Sequence, residues 1–285
     1  AVLYGGQPIA KQMNQLKRRP QIVVATPGRM LDHMHRGTAR LGAVHTLVID
    51  EADEMLKMGF VQDVCKIIEA IPSGRQFVMF SATTNQDVLT ISWKYQHDPV
   101  EITIAATNEN KPKITQYVIP TTREEKYDHL LYLLDSDEYG RIMIFVNTKD
   151  MTHRLCERLR KAGYQAEELH GDIPQSKRNQ VMTGFKHGKF PILVCTDVAA
   201  RGIDVDDVEA VINYDLPNEN EYYVHRIGRT GRARKHGVAF TLLSFTESVR
   251  LDEILKYLES QPTYLKFDDM GVLRTNEGQA FFDEI

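Results

Sequence analysis

Residues 45–60 read "HTLVIDEADEMLKMGF", an apolar run that ends in a cluster of carboxylates. The run 47–49 is apolar and rich in β-branched side chains, which is typical of a buried β-strand. Directly after it, the chain places four acidic side chains within five residues, from Asp50 to Glu54. In one interpretation, these acids only favour the positive end of the next helix. In the other, they hold hydrated Mg²⁺ and orient a water molecule that attacks a phosphate.

Short apolar runs alternate with helix-length segments along the chain. Strands that are apolar throughout, each followed by a helix, are typical of a parallel sheet covered on both faces. The sequence therefore predicts an α/β fold in which mainly parallel sheets are flanked by helices. The predicted strands are IVVAT (22–26), TLVID (46–50), FVMFS (77–81), VEITI (100–104), ITQYVI, RIMIFV, AEELH, PILVCT, AVINY and AFTLLS, and the predicted helices include 85–95 and 150–163.

This alternation pauses at AATNENKPK (105–113), a polar stretch that contains a proline and is typical of a linker. We therefore predict two domains. The predicted organisation is a first domain at 1–106, a linker at 107–113, a second domain at 114–260 and an acidic tail at 261–285.

The composition is that of a globular protein. The chain has 285 residues, of which 42% are hydrophobic, enough for one large or two medium cores. No apolar run approaches the ~18 residues of a membrane helix, and the start of the chain does not resemble a signal peptide. Cys65, Cys156 and Cys195 form no CxxC pair, so we expect a reducing, cytoplasmic environment. Because the net charge is -4, a polyanion would bind a local patch rather than a uniformly basic surface.

Three short segments of the first half carry polar residues or glycine, and each also has a simple structural interpretation. SAT (81–83) can cap a helix, and TPGR (26–29) can be a strand-to-helix turn with proline in the first helical turn. Alternatively, Arg29 is available for a phosphate. Gly5 and Gly6 allow either a tight turn or a close approach of the backbone to a ligand.

The second half contains two further segments of this kind. TDVAARGIDV (196–205) ends in carboxylates, but an EF-hand that starts at Asp204 would need glycine where Glu209 lies. HRIGRTGR (225–232) repeats arginine every three residues with glycine between. A basic run is usually a solvated face. Regular spacing with glycines instead favours bidentate contacts with a phosphate chain.

Five segments, in this order, resemble the DEAD-box family of ATP-dependent RNA helicases. They are TPGR (26–29), DEAD (50–53), SAT (81–83), ARGID (200–204) and HRIGRTGR (225–232). The resemblance extends from Gly5 to about Ser244. It implies two RecA-like domains that close on ATP and single-stranded RNA, with the first domain incomplete in this chain.

The resemblance also implies roles for individual residues. The catalytic residues would be Asp50, which engages Mg²⁺ through water, Glu51, which serves the attacking water, and the arginine fingers Arg229 and Arg232. The residues that couple hydrolysis to RNA separation would be Asp53, Ser81, Thr83 and His225. ATP would also contact Gly202 and Asp204. RNA would contact, mainly through phosphate and sugar and so independently of sequence, Gly5, Gly6, Thr26, Pro27, Gly28, Arg29, Asn147, Thr148, Gly171, Gln175, Arg178, Thr196 and Asp197.

The phosphate loop is where the sequence departs from the family pattern. Such an ATPase needs a loop that ends in Gly-Lys-Ser/Thr, whereas the Gly188-Lys189 pair here precedes Phe190. In the family, this loop, the adenine-reading glutamine and the first RNA-contact segment lie upstream of the diglycine. We therefore expect the chain to lack the amino-terminal part of its first domain.

The leading hypothesis is an RNA helicase that uses ATP and Mg²⁺ and that locally unwinds duplexes or remodels RNA–protein complexes. By resemblance, its partners would be RNA and protein cofactors, with no membrane, and the sequence specifies no oligomeric state. The alternative is a non-catalytic RNA-binding scaffold with helicase architecture, against which the intact Glu51 argues. A DNA-directed helicase is disfavoured because the motifs follow the RNA-helicase form.

Overall fold

A computed structural model describes residues 1–104, 113–200, 205, 208–231 and 236–282. The chain divides into two compact units, Ala1–Ala105 and Ala106–Ile285. In the part of the chain that is described, no helix combines the length and the apolar character needed to cross a bilayer.

The first unit contains two pairs of parallel strands. β1 (Val2–Leu3) pairs with β2 (Val24–Ala25), and β3 (Thr46–Ile49) pairs with β4 (Gln76–Met79). Its helices are α1 (Ile9–Lys17), α2 (Pro27–His35), α3 (Ala52–Lys57), α4 (Val61–Glu69) and α5 (Gln86–Tyr95). Ile49 at the end of β3 and Leu56 in α3 are both buried in one apolar cluster. Core packing therefore anchors the strand-to-helix junction on both sides of Asp50.

The second unit is built on a seven-stranded sheet that is parallel throughout, in the order β11-β5-β10-β9-β6-β8-β7. Its strands are β5 (Ile114–Thr121), β6 (Ile142–Phe145), β7 (Ala166–Leu169), β8 (Ile192–Cys195), β9 (Ala210–Asn213), β10 (Gly237–Ser244) and β11 (Thr263–Tyr264). A separate antiparallel pair is formed by β12 (Lys266–Phe267) and β13 (Leu273–Arg274). Its helices are α6 (Lys126–Asp135), α7 (Lys149–Lys161), α8 (Gln175–Lys186), α9 (Asp197–Ala200), α10 (Asn220–Ile227) and α11 (Ser248–Leu258), with a 3-10 turn at Phe245–Glu247.

The predicted α/β class is confirmed, and so is the parallel sheet of the second half. Every residue of β6, β8 and β9 is buried, which explains why these strands read as unbroken apolar runs. The prediction of a strand at 100–104 was wrong, because the structure gives those residues no strand. Val100, Ile102 and Ile104 are each more than 80% exposed. Their alternation is strand-like, but a strand also needs a paired neighbour, and none of the described strands pairs with this segment.

The acidic segment after residue 260 packs against the core of the second unit. β11 extends the main sheet beside β5, and Leu265, Leu273 and Phe281 belong to the buried core of the second unit. The Phe281 ring lies edge-on to Tyr117, with 4.7 Å between ring centroids. This segment therefore contributes to the second unit. The predicted linker, 107–113, lies outside the described residues except for Lys113.

We expect Phe281→Ala to destabilise the second unit by about 3 kcal/mol, because the change leaves a cavity in a packed aromatic cluster. The free energy of opening, measured by hydrogen exchange of the β10 amides, reports this loss. Met270 is 81% exposed in the same segment, so Met270→Ala is the matched control and should change stability by less than about 0.5 kcal/mol. Equal, small effects of both changes would contradict the packing of Phe281 in this core.

Candidate functional site

The acidic strand end has an unusual backbone conformation. Asp50 follows β3 and is exposed, and its Oδ1 accepts a hydrogen bond from the Glu51 N–H at 3.0 Å. Glu51 caps α3 in a left-handed conformation with φ 48°, which is uncommon for a residue with a side chain and is found at functional sites. The next N–H, of Ala52, donates to the Phe80 carbonyl at 3.0 Å. The two exposed carboxylates are thereby held at the joint ends of β3 and β4.

Asp53 joins the acidic segment to the Ser-Ala-Thr turn. Its carboxylate is buried, and Oδ2 accepts hydrogen bonds from both the N–H and the hydroxyl of Thr83, each at 2.9 Å. The Asp53 N–H in turn donates to the Ser81 hydroxyl oxygen at 3.3 Å. Burial raises the pKa of Asp53, but the hydrogen bonds from Thr83, Glu54 and Ser81 outweigh it and leave the pKa below its ordinary value. The carboxylate is therefore kept ionised, and the structure brings these three predicted coupling residues together.

The diglycine and TPGR segments meet through a buried glutamine that the sequence did not single out. Gln12, on α1, is fully buried. Its Nε2 donates to the Tyr4 carbonyl at 2.9 Å and to Gln7 Oε1 at 3.2 Å, on either side of the diglycine. Its Oε1 accepts from Arg29 NH1 at 3.0 Å. Arg29 NH1 also donates to the Gln7 carbonyl at 3.0 Å. One amide thus links both predicted RNA-contact segments of the first unit.

His33 completes this network. Its side chain is fully buried, and its Nε2 lies 3.1 Å from Gln12 Oε1. Its Nδ1 lies 2.8 Å from the Thr38 hydroxyl. Burial lowers the pKa of His33, and the Arg29 guanidinium lowers it further, so the neutral imidazole is favoured. The only signal in the sequence for Gln12 and His33 was a polar residue on the apolar face of α1 and of α2.

The space beside the predicted RNA-contact glycines is open. A Cβ atom added at Gly5, Gly28 or Gly171 would meet no heavy atom within 4 Å. Gly6 has φ 75°, a backbone conformation that favours glycine, so the diglycine turn depends on it. In TPGR, Thr26 precedes α2 and Pro27 is its first residue, as predicted for a strand-to-helix turn.

Arg226 is the central residue of the second unit's site. Its side chain is 1% exposed, although it carries a permanent charge. It forms a bidentate ion pair with Asp197, from Nε to Oδ1 at 2.5 Å and from NH2 to Oδ2 at 2.7 Å. It also donates to the Asp215 carbonyl at 2.5 Å and to Asn147 Oδ1 at 2.9 Å. HRIGRTGR was singled out for phosphate binding, but this arginine instead holds the protein's own loops.

Asn147 and Asp197 were predicted to contact RNA, and the structure shows that their side chains are engaged internally. Asn147 Nδ2 donates to the Leu216 carbonyl at 2.7 Å, while its oxygen accepts from Arg226. Its backbone N–H donates to Asp215 Oδ2 at 3.1 Å. These side chains therefore position the loops after β6 and β8.

The other predicted residues of the second unit lie at strand and helix ends. Thr148 caps α7, its hydroxyl accepting from the Met151 N–H at 3.1 Å. Gln175 is the first residue of α8, and Arg178 NH2 donates to the Ala199 carbonyl at 3.3 Å. Thr196 directly follows β8.

The described part of HRIGRTGR lies at the end of α10. His225 is in its last turn, and Arg229 Nε donates to the His225 carbonyl at 3.1 Å. The structure thus brings these two predicted residues together. Gly202, Asp204 and Arg232 lie outside the described residues. The coupling role of His225 stays a prediction.

The Gly188-Lys189 pair ends a helix rather than forming a phosphate loop. Gly188 follows α8 with φ 67°, and the Lys189 N–H donates back to the Gly184 carbonyl at 2.9 Å. The ring of Phe190 stacks on Phe185, with 5.8 Å between centroids. This turn therefore closes a helix on the core.

Parallel strands whose carboxyl ends carry these turns are the architecture of RecA-like helicases, and solved structures of that class share this fold. The model of the DEAD/DEAH box helicase family matches residues 1–91, and that of the helicase conserved C-terminal domain matches 125–234. The chain therefore belongs to the DEAD-box helicase family.

Individual relatives agree with this assignment. The DEAD-box ATP-dependent RNA helicase CshA of Geobacillus kaustophilus is 45% identical over 252 residues, which cover 88% of this chain and 54% of the relative. A DEAD box protein from Methanococcus jannaschii is 42% identical with a TM-score of 0.53, covering 93% of this chain and 72% of that one. S. cerevisiae Dbp5 bound to RNA and ADP BeF3 is 32% identical with a TM-score of 0.81, and the match covers 94% of this chain and 70% of that one. The chain spans about half the length of the curated relatives it matches.

We expect Arg226→Ala to destabilise the second unit by about 3–5 kcal/mol, because the change leaves the largely buried Asp197 carboxylate without its partner. Arg226→Lys should recover little, since an ammonium group cannot reproduce the bidentate pair. Arg154 pairs with Asp150 on the surface, so Arg154→Ala is the control and should cost about 0–1 kcal/mol. Urea denaturation measures the free energy of unfolding of all three variants. A loss below about 1 kcal/mol for Arg226→Ala would contradict its central position.

Proposed function

We propose that this chain forms part of an ATP-dependent RNA helicase that binds single-stranded RNA and locally unwinds duplexes or remodels RNA–protein complexes. The observation that carries the proposal is the buried contact of Asp53 with Thr83. It ties the acidic strand end to the Ser-Ala-Thr turn, so a change at the nucleotide is transmitted to a second segment of the same unit. A scaffold without turnover has no need for this link beside two exposed carboxylates.

The acidic strand end is the proposed site of ATP hydrolysis. Glu51 would orient or deprotonate the attacking water, because an exposed carboxylate held at a fixed turn can serve as a general base. Arg229 and Arg232 would stabilise the charge that develops on the transferred phosphate, as arginine fingers do. Gly202 and Asp204 would contact ATP itself. These roles come from the family resemblance and are supported by the position of Glu51 after β3.

Mg²⁺ fits the residues at this strand end. Mg²⁺ keeps most of its water and is usually bound by one or two carboxylates together with phosphate oxygens. Asp50 is exposed, and its Oδ2 accepts no hydrogen bond from the described residues. Over those same residues, no three His, Cys, Asp or Glu side chains converge to enclose a metal ion. Asp50 would therefore hold the ion through water, and the ion would neutralise phosphate charge.

The proposed RNA surface consists of backbone and small residues at loop ends. Open space beside Gly5, Gly28 and Gly171 supports close approach of a sugar-phosphate chain. Thr148 and Gln175 lie at the beginnings of α7 and α8, where unpaired N–H groups attract phosphate. Such contacts read no bases, so we propose binding that is independent of sequence. We also propose that the helicase binds protein cofactors and works in the cytoplasm.

We expect Gly28→Ala to have opposite effects on stability and on RNA binding. Alanine is the better helix former and meets no atom in the free protein, so stability should rise by up to about 1 kcal/mol. The added methyl group occupies the space proposed for the RNA backbone, so affinity for a labelled oligouridine should fall several-fold. Gly42 also faces open space but has no proposed RNA contact, so Gly42→Ala is the control. Unchanged RNA affinity in Gly28→Ala would contradict the proposed surface.

ATP turnover requires a phosphate loop, so Glu51 is best tested in a chimera in which this chain follows the amino-terminal segment of its CshA relative. Glu51→Gln should preserve binding of ATP and RNA but lower RNA-stimulated turnover by about 10²–10⁴-fold, because the amide cannot accept the proton. Glu69 lies on the surface beside Lys94, so Glu69→Gln is the matched control. A loss of only a few-fold would remove Glu51 from the catalytic set. RNA-stimulated turnover by the 285-residue chain alone would contradict the need for the loop.

A further inference from the structure

The Gln12 amide uses all of its hydrogen-bonding capacity inside the protein. It has two N–H donors, which bond to Tyr4 and Gln7, and one oxygen, which accepts from Arg29 and His33. Arginine can only donate and a backbone carbonyl can only accept, so the orientation of the amide is unambiguous. A fully buried network that is satisfied at every position tolerates few alternative arrangements.

His33 is a fixed donor in this network. Gln12 Oε1 can only accept, so Nε2 of the imidazole must carry the proton. Nδ1 lies 2.8 Å from the Thr38 hydroxyl, which can donate its one proton either to Nδ1 or to the His33 carbonyl at 3.1 Å. The groups that act on the charge of His33 are Arg29 and Asp32 on α2 and Arg36, which caps the end of that helix. The two arginines and burial together favour the neutral, singly protonated ring. His33 therefore orients the Gln12 oxygen toward Arg29.

Arg29 is consequently tethered through one nitrogen only. NH1 bonds to the Gln7 carbonyl and to Gln12 Oε1, whereas Nε and NH2 form no hydrogen bond with the described residues. The three N–H groups of Nε and NH2 thus remain available to donate, and the position of the planar guanidinium that carries them is already set. A guanidinium held in this way loses little further entropy when it binds a phosphate, which favours affinity.

We propose that Gln12 and His33 are positioning residues for RNA binding, which hold Arg29 and the Gly5-Gly6 turn together as one phosphate-binding surface. The inference rests on the proposed function, since it requires that Arg29 contact an RNA phosphate. Gln12 and His33 themselves touch no RNA, because both are fully buried.

The test measures the affinity of the 285-residue chain for a labelled oligouridine at several salt concentrations. Arg29→Ala should weaken binding on the order of 10-fold and reduce the slope of log affinity against log salt by about 0.7, the loss of one phosphate contact. Gln12→Met, which keeps the shape of the side chain, should reproduce both changes. The double variant should bind no more weakly than Arg29→Ala, because both changes remove the same contact.

Variants of His33 provide a second test of the proposal, which does not depend on whether Gln12→Met folds. His33→Leu should weaken binding in the same way, whereas His33→Gln should restore it, since its amide can donate from a position near that of Nε2. His35 is exposed on the same helix, so His35→Leu is the control and should leave affinity unchanged. Circular dichroism checks that each variant is folded. A purely structural role would lower the thermal midpoint but leave the salt slope of the folded protein unchanged.

The outcomes separate this inference from the proposed function. If Arg29→Ala weakens RNA binding but Gln12→Met and His33→Leu do not, the positioning role is overturned and the RNA surface stands. If Arg29→Ala leaves both affinity and salt slope unchanged, the RNA contact itself is overturned, and the positioning role with it.

Discussion

The buried guanidinium of Arg226 is the interaction on which the second unit's site depends. Removing a permanent charge from water costs several kcal/mol, so the fold must surround it with acceptors. Asn147 after β6, Asp197 at the start of α9 after β8, and Asp215 after β9 supply these acceptors. One side chain therefore fixes the relative positions of three strand ends, and any loop that shifts leaves a buried charge unsatisfied.

The first unit follows the same principle with smaller polar groups. Asp53 is satisfied only when the acidic segment meets the Ser-Ala-Thr turn, and Gln12 only when α1, the diglycine turn and α2 meet. In both cases, the buried group is not the one proposed to act on a ligand. It lies beside an exposed or half-buried residue with such a proposed role, Glu51 in one case and Arg29 in the other. Rigid support beneath an accessible group is what a binding or catalytic site requires.

The internal use of polar side chains also bears on the proposed recognition of RNA. Because the amide of Asn147 and both oxygens of Asp197 bond within the protein, they are poorly suited to read base edges. Thr148 and Gln175 lie at the beginnings of α7 and α8, and the space beside Gly171 is open. These groups suit phosphate and sugar, which are the same at every position of a strand. The packing of the loops thus supports the sequence-independent binding that the family resemblance implies.

The sequence by itself determined the α/β class, most strands and the position of the acidic motif, because apolar periodicity and short spacings are local properties. Asp50 and Glu51 were placed at a strand end from those alone. Only the tertiary structure decided that Phe281 packs in the core and that 100–104 forms no strand, since both depend on distant partners. The same holds for Gln12 and Arg226. Each links separate segments because it is buried, and its burial is created by residues far away in the chain.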